Sequence, residues 1–274
     1  MFKNLTELSE AIGINFSYLR NIIRYSEKFY NTYYLKQSPC KTRIIDSPNF
    51  EMKALQRWIL ENILKKILIS DRANGFVKGK SIKTNASFHI NKKFILVIDI
   101  KDFFHSIKSD KVCNLFLKVT KNEKLASYLT ILCTYRGYLP QGAVTSPMLS
   151  NIIFKPIDNK FKALCNNLDI NYSRYADDLC FSSNSDTKIN NLKPEIEKIL
   201  EGNGFFINTK KTRFMCGKKR KKVAGVILNS GKMTTGRKRK RDIRAMLFNY
   251  FVKKDNNIDL IKILGQISCH RRGF

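Results

Sequence analysis

The chain has 274 residues, of which 51 are Lys or Arg and 22 are Asp or Glu, so its formal net charge is +29. Hydrophobic residues make up 43% and aromatic residues 11%, which excludes disorder for most of the chain. A positive excess of this size indicates a polyanionic partner, either nucleic acid or an anionic membrane surface.

The cysteines and the apolar segments narrow the class of protein. The seven cysteines contain no CxxC pair, which argues against a zinc knuckle, and their odd number argues against a disulfide framework. No apolar run has transmembrane length, and the N-terminus has no signal-peptide pattern. No basic amphipathic segment indicates a membrane anchor. We therefore predict a reduced, cytoplasmic protein that binds nucleic acid and no membrane.

The N-terminal part of the chain predicts a helix pair, a hairpin and a third helix. Apolar spacing over 5–24, broken by a glycine, predicts two helices that resemble a helix-turn-helix, with packing favoured over base recognition. The segment 30–48 predicts two strands with Lys41 and Arg43 near their polar turn. A helix is predicted over 50–69, where apolar residues recur at three- and four-residue steps.

The middle of the chain predicts one deeply buried strand. A loop and a short helix are expected over 75–89. The segment 94–100 is nearly continuous in apolar β-forming residues, which predicts a strand buried on both faces that delivers Asp99 at its end. The following predictions are a helical segment over 111–134, a turn-rich loop over 139–147 and a helix from 148 to about 164.

The C-terminal part predicts a hairpin over 172–183 with Asp177 and Asp178 at its turn, because adjacent acids do not suit mid-strand positions. The next predictions are a helix over 192–200, a short strand over 204–208, and strands over 222–229 and 231–234. Two amphipathic helices follow, one with Ile243, Met246, Leu247, Tyr250 and Phe251 on a face, the other with Ile258, Ile261, Leu264 and Ile267.

Three acids are candidates for catalysis. A hairpin beside the Asp99 strand would bring Asp177 and Asp178 to the same place. Such a cluster repels itself unless hard cations bind, and two Mg²⁺ ions held by carboxylates support in-line phosphoryl transfer. For the YADD tetrapeptide alone, unrelated surface acids are the simpler interpretation.

The order of motifs makes the interpretation specific. The segments 99–104 (DIKDFF), 140–147 (PQG to SP) and 175–178 (YADD) resemble, in order and spacing, the palm motifs of reverse transcriptases, over about 43–229. Local features resemble the bacterial retron branch: Gly75-Phe76 with Ser81-Ile82, the NAxxH pattern from Asn85 to His89, Ser106-Ile107, and Val223-Ala224-Gly225 where retron enzymes usually have Val-Thr-Gly.

The resemblance implies a fold and a domain order. It implies an α+β, right-hand polymerase architecture with fingers, a palm of antiparallel sheet plus helices, and a short helical thumb. Residues 1–92 would form the N-terminal helices and fingers. Residues 93–229 would form the palm, with part of the fingers inserted around 108–140. Residues 230–274 would form the thumb, either short or truncated.

The resemblance also implies roles for the acids and for the nucleotide contacts. Asp99, Asp177 and Asp178 match the catalytic metal ligands, with the Ile100 carbonyl as a further ligand of two Mg²⁺ ions, or Mn²⁺ in their place. A structural role is favoured for Asp102. The implied nucleotide-binding residues are Lys41 and Arg43 at the triphosphate, Phe104 as a steric gate against the 2′-OH, Gln141 beside Gly142, and Lys211 near the pyrophosphate. For Lys41 and Lys211, a solvated surface lysine remains an equal alternative.

A basic segment completes the predicted nucleic-acid surface. Residues 210–244 contain 15 Lys and Arg and the single acid Asp242, about half of the net charge. Phosphate contacts of this kind position nucleic acid without reading its sequence. For His89, a packed, hydrogen-bonded role is the alternative to RNA contact. The predicted nucleic-acid-binding residues are Asn85, His89, Lys218, Lys219, Arg220, Lys221, Lys222, Arg237, Lys238, Arg239, Lys240 and Arg241.

The leading hypothesis is an RNA-directed DNA polymerase of retron type. The resemblance implies that it copies part of its own structured non-coding RNA, of msr-msd type, from dNTPs into single-stranded msDNA in antiphage defence, and it allows an effector or toxin protein as a partner. Two alternatives stay open: another bacterial reverse transcriptase, of abortive-infection or group II intron type, and an RNA-binding scaffold or toxin-controlling subunit. The cognate RNA, its priming nucleotide, the effector and the oligomeric state are left open.

Overall fold

A computed structural model of the chain describes residues 2–38, 41–217, 220–229, 231–234, 236–253 and 260–272. The helices are α1 (Leu5–Ile12), α2 (Phe16–Arg24), α3 (Phe50–Asn62), α4 (Ile82–Ser87), α5 (Ser109–Thr120), α6 (Glu123–Cys133), α7 (Ser146–Asn167), α8 (Asp186–Glu201), α9 (Arg237–Phe251) and α10 (Leu260–Arg272). The strands are β1 (Tyr30–Ser38), β2 (Lys41–Pro48), β3 (Phe94–Asp99), β4 (Asn171–Tyr175), β5 (Asp178–Ser183), β6 (Arg213–Met215), β7 (Lys221–Val223), β8 (Val226–Asn229) and β9 (Lys232–Thr234).

The chain divides into two compact units. The first consists of residues 1–70 and 101–156, and the second of 71–100 and 157–274. The predicted division into fingers, palm and thumb segments stays a prediction. Within the described residues, no helix combines the length and the apolar character that a membrane span requires.

The first unit contains helices and an antiparallel hairpin of β1 and β2, paired from Tyr30 opposite Pro48. Asparagine side chains accept backbone N–H groups at the start of α1, α2, α3 and α6, the most favourable type of helix cap. The buried Gln56 amide donates to the Tyr30 hydroxyl and the Leu132 carbonyl, and its oxygen accepts from the Val144 N–H. One side chain on α3 thereby joins three separate segments of this unit.

The second unit contains a four-stranded antiparallel sheet in the order β4-β5-β3-β6. One side of its core is formed by the rings of Phe161 on α7, Tyr172 on β4 and Phe181 on β5, whose centroids lie 4.9 to 5.5 Å apart. A second sheet, β7-β8-β9, contributes Val223 and Val226 to another cluster that includes Ile95, Val97, Ala86, Cys180 and Leu228. The strand β3 is therefore covered on both faces, as its continuous apolar sequence predicted.

Most predicted elements are confirmed, but three details are wrong. The predicted helical segment 111–134 is two helices, because Lys121 adopts a left-handed conformation (φ 56°) and Asn122 caps a new helix. The predicted strand over 204–208 is an isolated bridge between Ile207 and Ile100, and the next strand, β6, pairs with the edge of β3 that β5 leaves open. On α10, Ile261 and Leu264 are 78% and 55% exposed whereas Ile263 is buried; Ile258 lies outside the described residues.

Candidate active site

The sheet of the second unit places two of the three predicted acids opposite each other. The strands β3 and β5 run antiparallel, and Asp99 is the register partner of Asp178. On the other side of β5, Asp178 is the partner of Tyr175, so it begins the second strand of the predicted hairpin. The pairing of β3 with β5 therefore joins residues that are 79 positions apart in the chain.

The hairpin turn consists of Ala176 and Asp177. Ala176 has a positive φ of 56°, and the Asp177 carbonyl accepts a hydrogen bond of 3.0 Å from the Ile100 N–H. Gly75 lies against this turn: a Cβ atom at Gly75 would lie 2.5 Å from the Ala176 nitrogen. A glycine is needed at position 75 because the backbone of the turn approaches it too closely for any side chain.

A buried ion pair supports the same turn, and sequence reasoning missed it. Arg174 on β4 and Asp158 on α7 are both inaccessible to solvent, and the guanidinium donates Nε and Nη2 to the two carboxylate oxygens at 2.9 and 2.8 Å. The Tyr172 hydroxyl donates to the same carboxylate at 2.7 Å. The only signal in the sequence was an arginine in the middle of a predicted hairpin strand, since a buried arginine requires an anionic partner.

The electrostatics of the acids are dominated by burial and mutual repulsion. Burial, reinforced by the neighbouring Asp177 and Asp99 carboxylates, raises the pKa of Asp178 to about 6, against the lowering effect of Arg213 and Lys211. The Lys211 ammonium donates to both oxygens of Asp99, at 3.0 and 2.8 Å. A partly exposed lysine thus supplies a counter-charge to the most deeply placed acid of the site.

The chemistry of these donors suits a hard divalent cation. Carboxylate oxygens are the ligands that Mg²⁺ prefers. Burial, and then repulsion from the neighbouring carboxylates, raise the pKa of Asp178, and a bound cation would favour its charged form against both effects. As the side chains stand, no group of three or more His, Cys, Asp or Glu residues in the described part of the chain forms a metal-binding cluster. The Asp99 carboxylate is instead paired with the Lys211 ammonium.

The residues predicted to bind the nucleotide lie in the first unit, except for Lys211. Arg43 is exposed on β2, and Lys41 begins that strand with a side chain outside the described ones. Gln141 is partly buried, and so is Phe104, whose ring centroid lies 5.5 Å from that of Phe103. Their predicted roles stay predictions.

At Gly142 the backbone closely approaches the strand β2. Gly142 has a φ of 137°, and a Cβ atom there would lie 2.8 Å from the Asp46 carbonyl oxygen. The glycine is therefore required by contact between two backbone segments within the first unit.

The predicted RNA contacts of the NAxxH segment are wrong for these side chains. Asn85 is 0% exposed and accepts a hydrogen bond from Asn74. His89 is 1% exposed and lies between the hydroxyls of Ser173 and Ser182, each 2.7 Å from a ring nitrogen. Burial lowers the pKa of His89 to about 3, so the ring is neutral. His89, two residues after α4, therefore connects this segment to β4 and β5, which is the packed role weighed as its alternative.

The basic segment is mostly solvent-facing where it is described. Lys221 differs from its neighbours: its ammonium donates 2.7 Å to the Lys92 carbonyl, so it has a role inside the fold. Lys218 and Lys219 lie outside the described residues, and Lys238 and Arg239 lie on α9 with side chains outside the described ones. The exposed members are Arg220, Lys222, Arg237, Lys240 and Arg241.

Sequence comparisons match this site to a family. The family model described as reverse transcriptase (RNA-dependent DNA polymerase) matches residues 34–228. The retron Ec86 reverse transcriptase of Escherichia coli is 36% identical over 264 residues, covering 96% of this chain and 82% of that protein. The retron Mx162 reverse transcriptase of Myxococcus xanthus is 32% identical, covering 86% of this chain and 56% of that protein.

Solved structures of similar fold include telomerases. The apo telomerase of Candida tropicalis truncated from the C-terminal domain has a TM-score of 0.56 at 12% identity, covering 81% of this chain and 61% of that one. The telomerase of Candida albicans in complex with a TWJ fragment of telomeric RNA has a TM-score of 0.53 at 12% identity, covering 89% of this chain and 55% of that one. The chain thus spans little more than half of these structures, and the likeness concerns the fold alone.

Proposed function

Since this chain belongs to the reverse transcriptase family and is an RNA-directed DNA polymerase of retron type, we propose that it copies part of its own structured non-coding RNA into single-stranded msDNA. In this proposal Asp99, Asp177 and Asp178 are the catalytic acids. The RNA, of msr-msd type, and the dNTPs are its substrates, and antiphage defence is its role in the cell.

The observation that carries the catalytic assignment is the register pairing of Asp99 with Asp178. It sets two carboxylates opposite each other at the end of a buried strand, with Asp177 in the adjoining turn. These three neighbouring acids carry an unfavourable negative charge, and the pKa of Asp178 is raised to about 6. In a purely structural cluster, basic side chains of the fold would neutralise that charge. An unbalanced group of this kind suits a site whose cation arrives with the substrate.

The proposed cofactor is Mg²⁺, as two ions, with Mn²⁺ as a substitute. Asp99, Asp177, Asp178 and the Ile100 carbonyl would hold it, and when bound it supplies charge stabilisation to the transferring phosphoryl group and activates the attacking oxygen. Lys211 neutralises Asp99 in the protein by itself. Released from Asp99, its ammonium would be free to donate a proton to the leaving pyrophosphate.

The remaining nucleotide contacts are assigned by residue chemistry. Lys41 and Arg43 on β2 would neutralise the triphosphate, since guanidinium and ammonium groups bind phosphate oxygens strongly. Gln141 would contact the incoming nucleotide, and the ring of Phe104 would exclude a ribose 2′-OH. A Phe104→Ala variant should incorporate ribonucleotides more readily than wild type while still using deoxynucleotides. Unchanged discrimination between the two sugars would remove Phe104 from this role.

The exposed basic residues of 220–241 are proposed to hold the RNA and the growing hybrid by phosphate contacts. Such contacts release counterions, so the affinity for RNA should fall by orders of magnitude between low and moderate salt. A flat salt titration would contradict a phosphate-driven association. Because these contacts do not read bases, RNA shape and unpaired loops would supply selectivity.

Sequencing the nucleic acid that copurifies with the protein tests the function as a whole. A branched RNA–DNA molecule supports the retron assignment, and DNA copied from many RNAs favours another type of bacterial reverse transcriptase. RNA without DNA favours a scaffold or toxin-controlling subunit. Phage plating on cells that carry the gene with its RNA, compared with an Asp177→Ala variant, tests the role in defence.

A further inference from the structure

Arg174 lies two residues before the Ala176–Asp177 turn and is completely enclosed. Its backbone N–H donates to the Arg72 carbonyl at 2.9 Å, and its carbonyl accepts from the Asn74 N–H at 2.7 Å. Its guanidinium holds Asp158 through two hydrogen bonds, as described above. Backbone and side chain are therefore both held in place by elements outside the hairpin.

The guanidinium has a further donor, and it reaches the catalytic turn. The Nη1 atom of Arg174 donates to the Ala176 carbonyl at 3.2 Å. The carbonyl of Ala176 belongs to the peptide bond that leads into Asp177. Asp158 on α7 is thus connected through one planar side chain to the backbone that carries a catalytic acid.

Stability alone gives little reason for such a pair. Burying an arginine and an aspartate requires both to be desolvated, and hydrophobic residues of similar volume often serve the fold equally well or better. A methionine and a leucine would fill this space without any charge. What they would lack is the donor to the Ala176 carbonyl, because an aliphatic side chain cannot make a hydrogen bond.

We propose that Arg174, held by Asp158, is a positioning residue that sets the turn carrying Asp177 for catalysis. The proposal rests on the proposed function of Asp177 and deepens it. Because Arg174 is fully buried, it acts through the backbone of Ala176. Gly75 closes the other side of the same turn, where no side chain fits, so the turn is confined from both sides.

A lysine would not replace this arginine. A guanidinium presents five donors in a rigid plane, which lets one side chain serve a carboxylate and a carbonyl in fixed directions. An ammonium on a flexible chain can neutralise Asp158 but cannot hold both acceptors at these positions. The conservative substitution therefore separates charge pairing from positioning.

The test replaces the ion pair with apolar residues. It is made in a background without the Tyr172 hydroxyl, which would otherwise lose its hydrogen-bond acceptor. Tyr172→Phe is the background and control, since it removes the third hydrogen bond to Asp158 but leaves Arg174 and its contact with Ala176. The test variant is Asp158→Leu/Tyr172→Phe/Arg174→Met. Four quantities are measured for each: the thermal unfolding midpoint, kcat, KM for dNTP on a primed template, and the affinity for Mn²⁺, by electron paramagnetic resonance without nucleotide.

We expect the triple variant to unfold at a temperature close to that of its background, with a lower kcat and weaker Mn²⁺ binding. A supporting residue behind a metal site typically changes metal affinity or activity by about 10- to 100-fold. The KM for dNTP should stay unchanged. A folded triple variant that matches its background in both kcat and Mn²⁺ affinity would overturn the proposal.

Arg174→Lys provides the second, independent measurement if the triple variant does not fold. It keeps the charge pair, and we expect about a 10-fold loss of Mn²⁺ affinity or of kcat. Wild-type values for both would reject positioning by Arg174. Mn²⁺ binding needs no turnover, so it tests the positioning role of Arg174 separately from the polymerase reaction. The polymerase reaction itself is tested by comparing the activity of wild type with that of Asp177→Asn.

Discussion

Two groups of carboxylates in the second unit differ in how their charge is balanced. Asp158 is fully buried, and its two oxygens accept hydrogen bonds from the Arg174 guanidinium and the Tyr172 hydroxyl. The charge is matched inside the fold by a residue that stays ionised at any ordinary pH. This carboxylate is therefore complete without any further partner.

The acids at the strand ends are in the opposite situation. Asp99 and Asp178 are register partners, and Asp178 is half-buried beside like charges, which raises its pKa to about 6. The counter-charge comes from Arg213 and Lys211, and Lys211, which pairs with Asp99, is partly exposed. A buried carboxylate that is fully paired inside the protein stabilises the fold. A carboxylate that lacks a full counter-charge can still bind a cation and take part in catalysis.

Removing one of the acids at the strand ends should have the largest effect of these changes, and that effect should be on activity and not on stability. In Asp177→Asn we expect nucleotide incorporation to fall about a thousandfold or more, because charge stabilisation by bound metal contributes several kcal/mol. The unfolding midpoint should stay the same or rise, since a repulsive charge is lost. Primer extension and thermal unfolding check this, with the exposed Asp169→Asn as the matched control. Activity surviving in Asp177→Asn would remove that residue from the site.

Removing the balanced acid should act mainly on stability. Asp158→Asn leaves the Arg174 charge buried without a counter-ion, which costs about 3–5 kcal/mol of unfolding free energy. Urea denaturation measures the loss. The control is Asp71→Asn, which breaks an exposed ion pair with Lys162 in the same unit and should cost less than about 1 kcal/mol. Equal losses in the two variants would mean that burial does not distinguish these pairs.

The pH dependence of stability should report the unbalanced site. With its pKa raised to about 6, folded Asp178 keeps a proton that the unfolded chain has lost, so this contribution favours folding at low pH and disappears as pH rises through 6. In EDTA, the stability advantage of Asp178→Asn over wild type should therefore grow from pH 4 to pH 7, by up to about 3 kcal/mol. Urea denaturation of both proteins at each pH measures this. If the pKa of Asp178 is not raised, the difference in unfolding free energy between the variant and wild type should stay constant from pH 4 to pH 7.

The smallest effect on stability is expected at Lys211. Its ammonium is 44% exposed, and pairs of this kind contribute less than about 1 kcal/mol. Lys211→Met should therefore lower the metal-free unfolding free energy only slightly, and Mg²⁺ should restore it because the cation neutralises Asp99 instead. Thermal unfolding with and without Mg²⁺ checks this. A loss as large as that of Asp158→Asn would show that Lys211 belongs to the scaffold.

The sequence by itself determined the local elements that hold the acids. The apolar run before Asp99 predicted a strand covered on both faces, and the acids after Tyr175 predicted a turn. Both follow from short-range effects: side-chain alternation, β-propensity, and the poor fit of adjacent charges within a strand. The order of the motifs was likewise visible without a structure, because it is a property of the chain alone.

Only the tertiary structure decided which distant residues meet. It paired Asp99 with Asp178, joined Arg174 to Asp158, brought Lys211 to Asp99, and turned His89 inward to two serines. No local pattern specifies these contacts, since each depends on how helices and strands far apart in the chain pack against one another. A histidine or lysine looks the same in the sequence whether it faces solvent or a buried partner, and its environment in the folded chain decides its role.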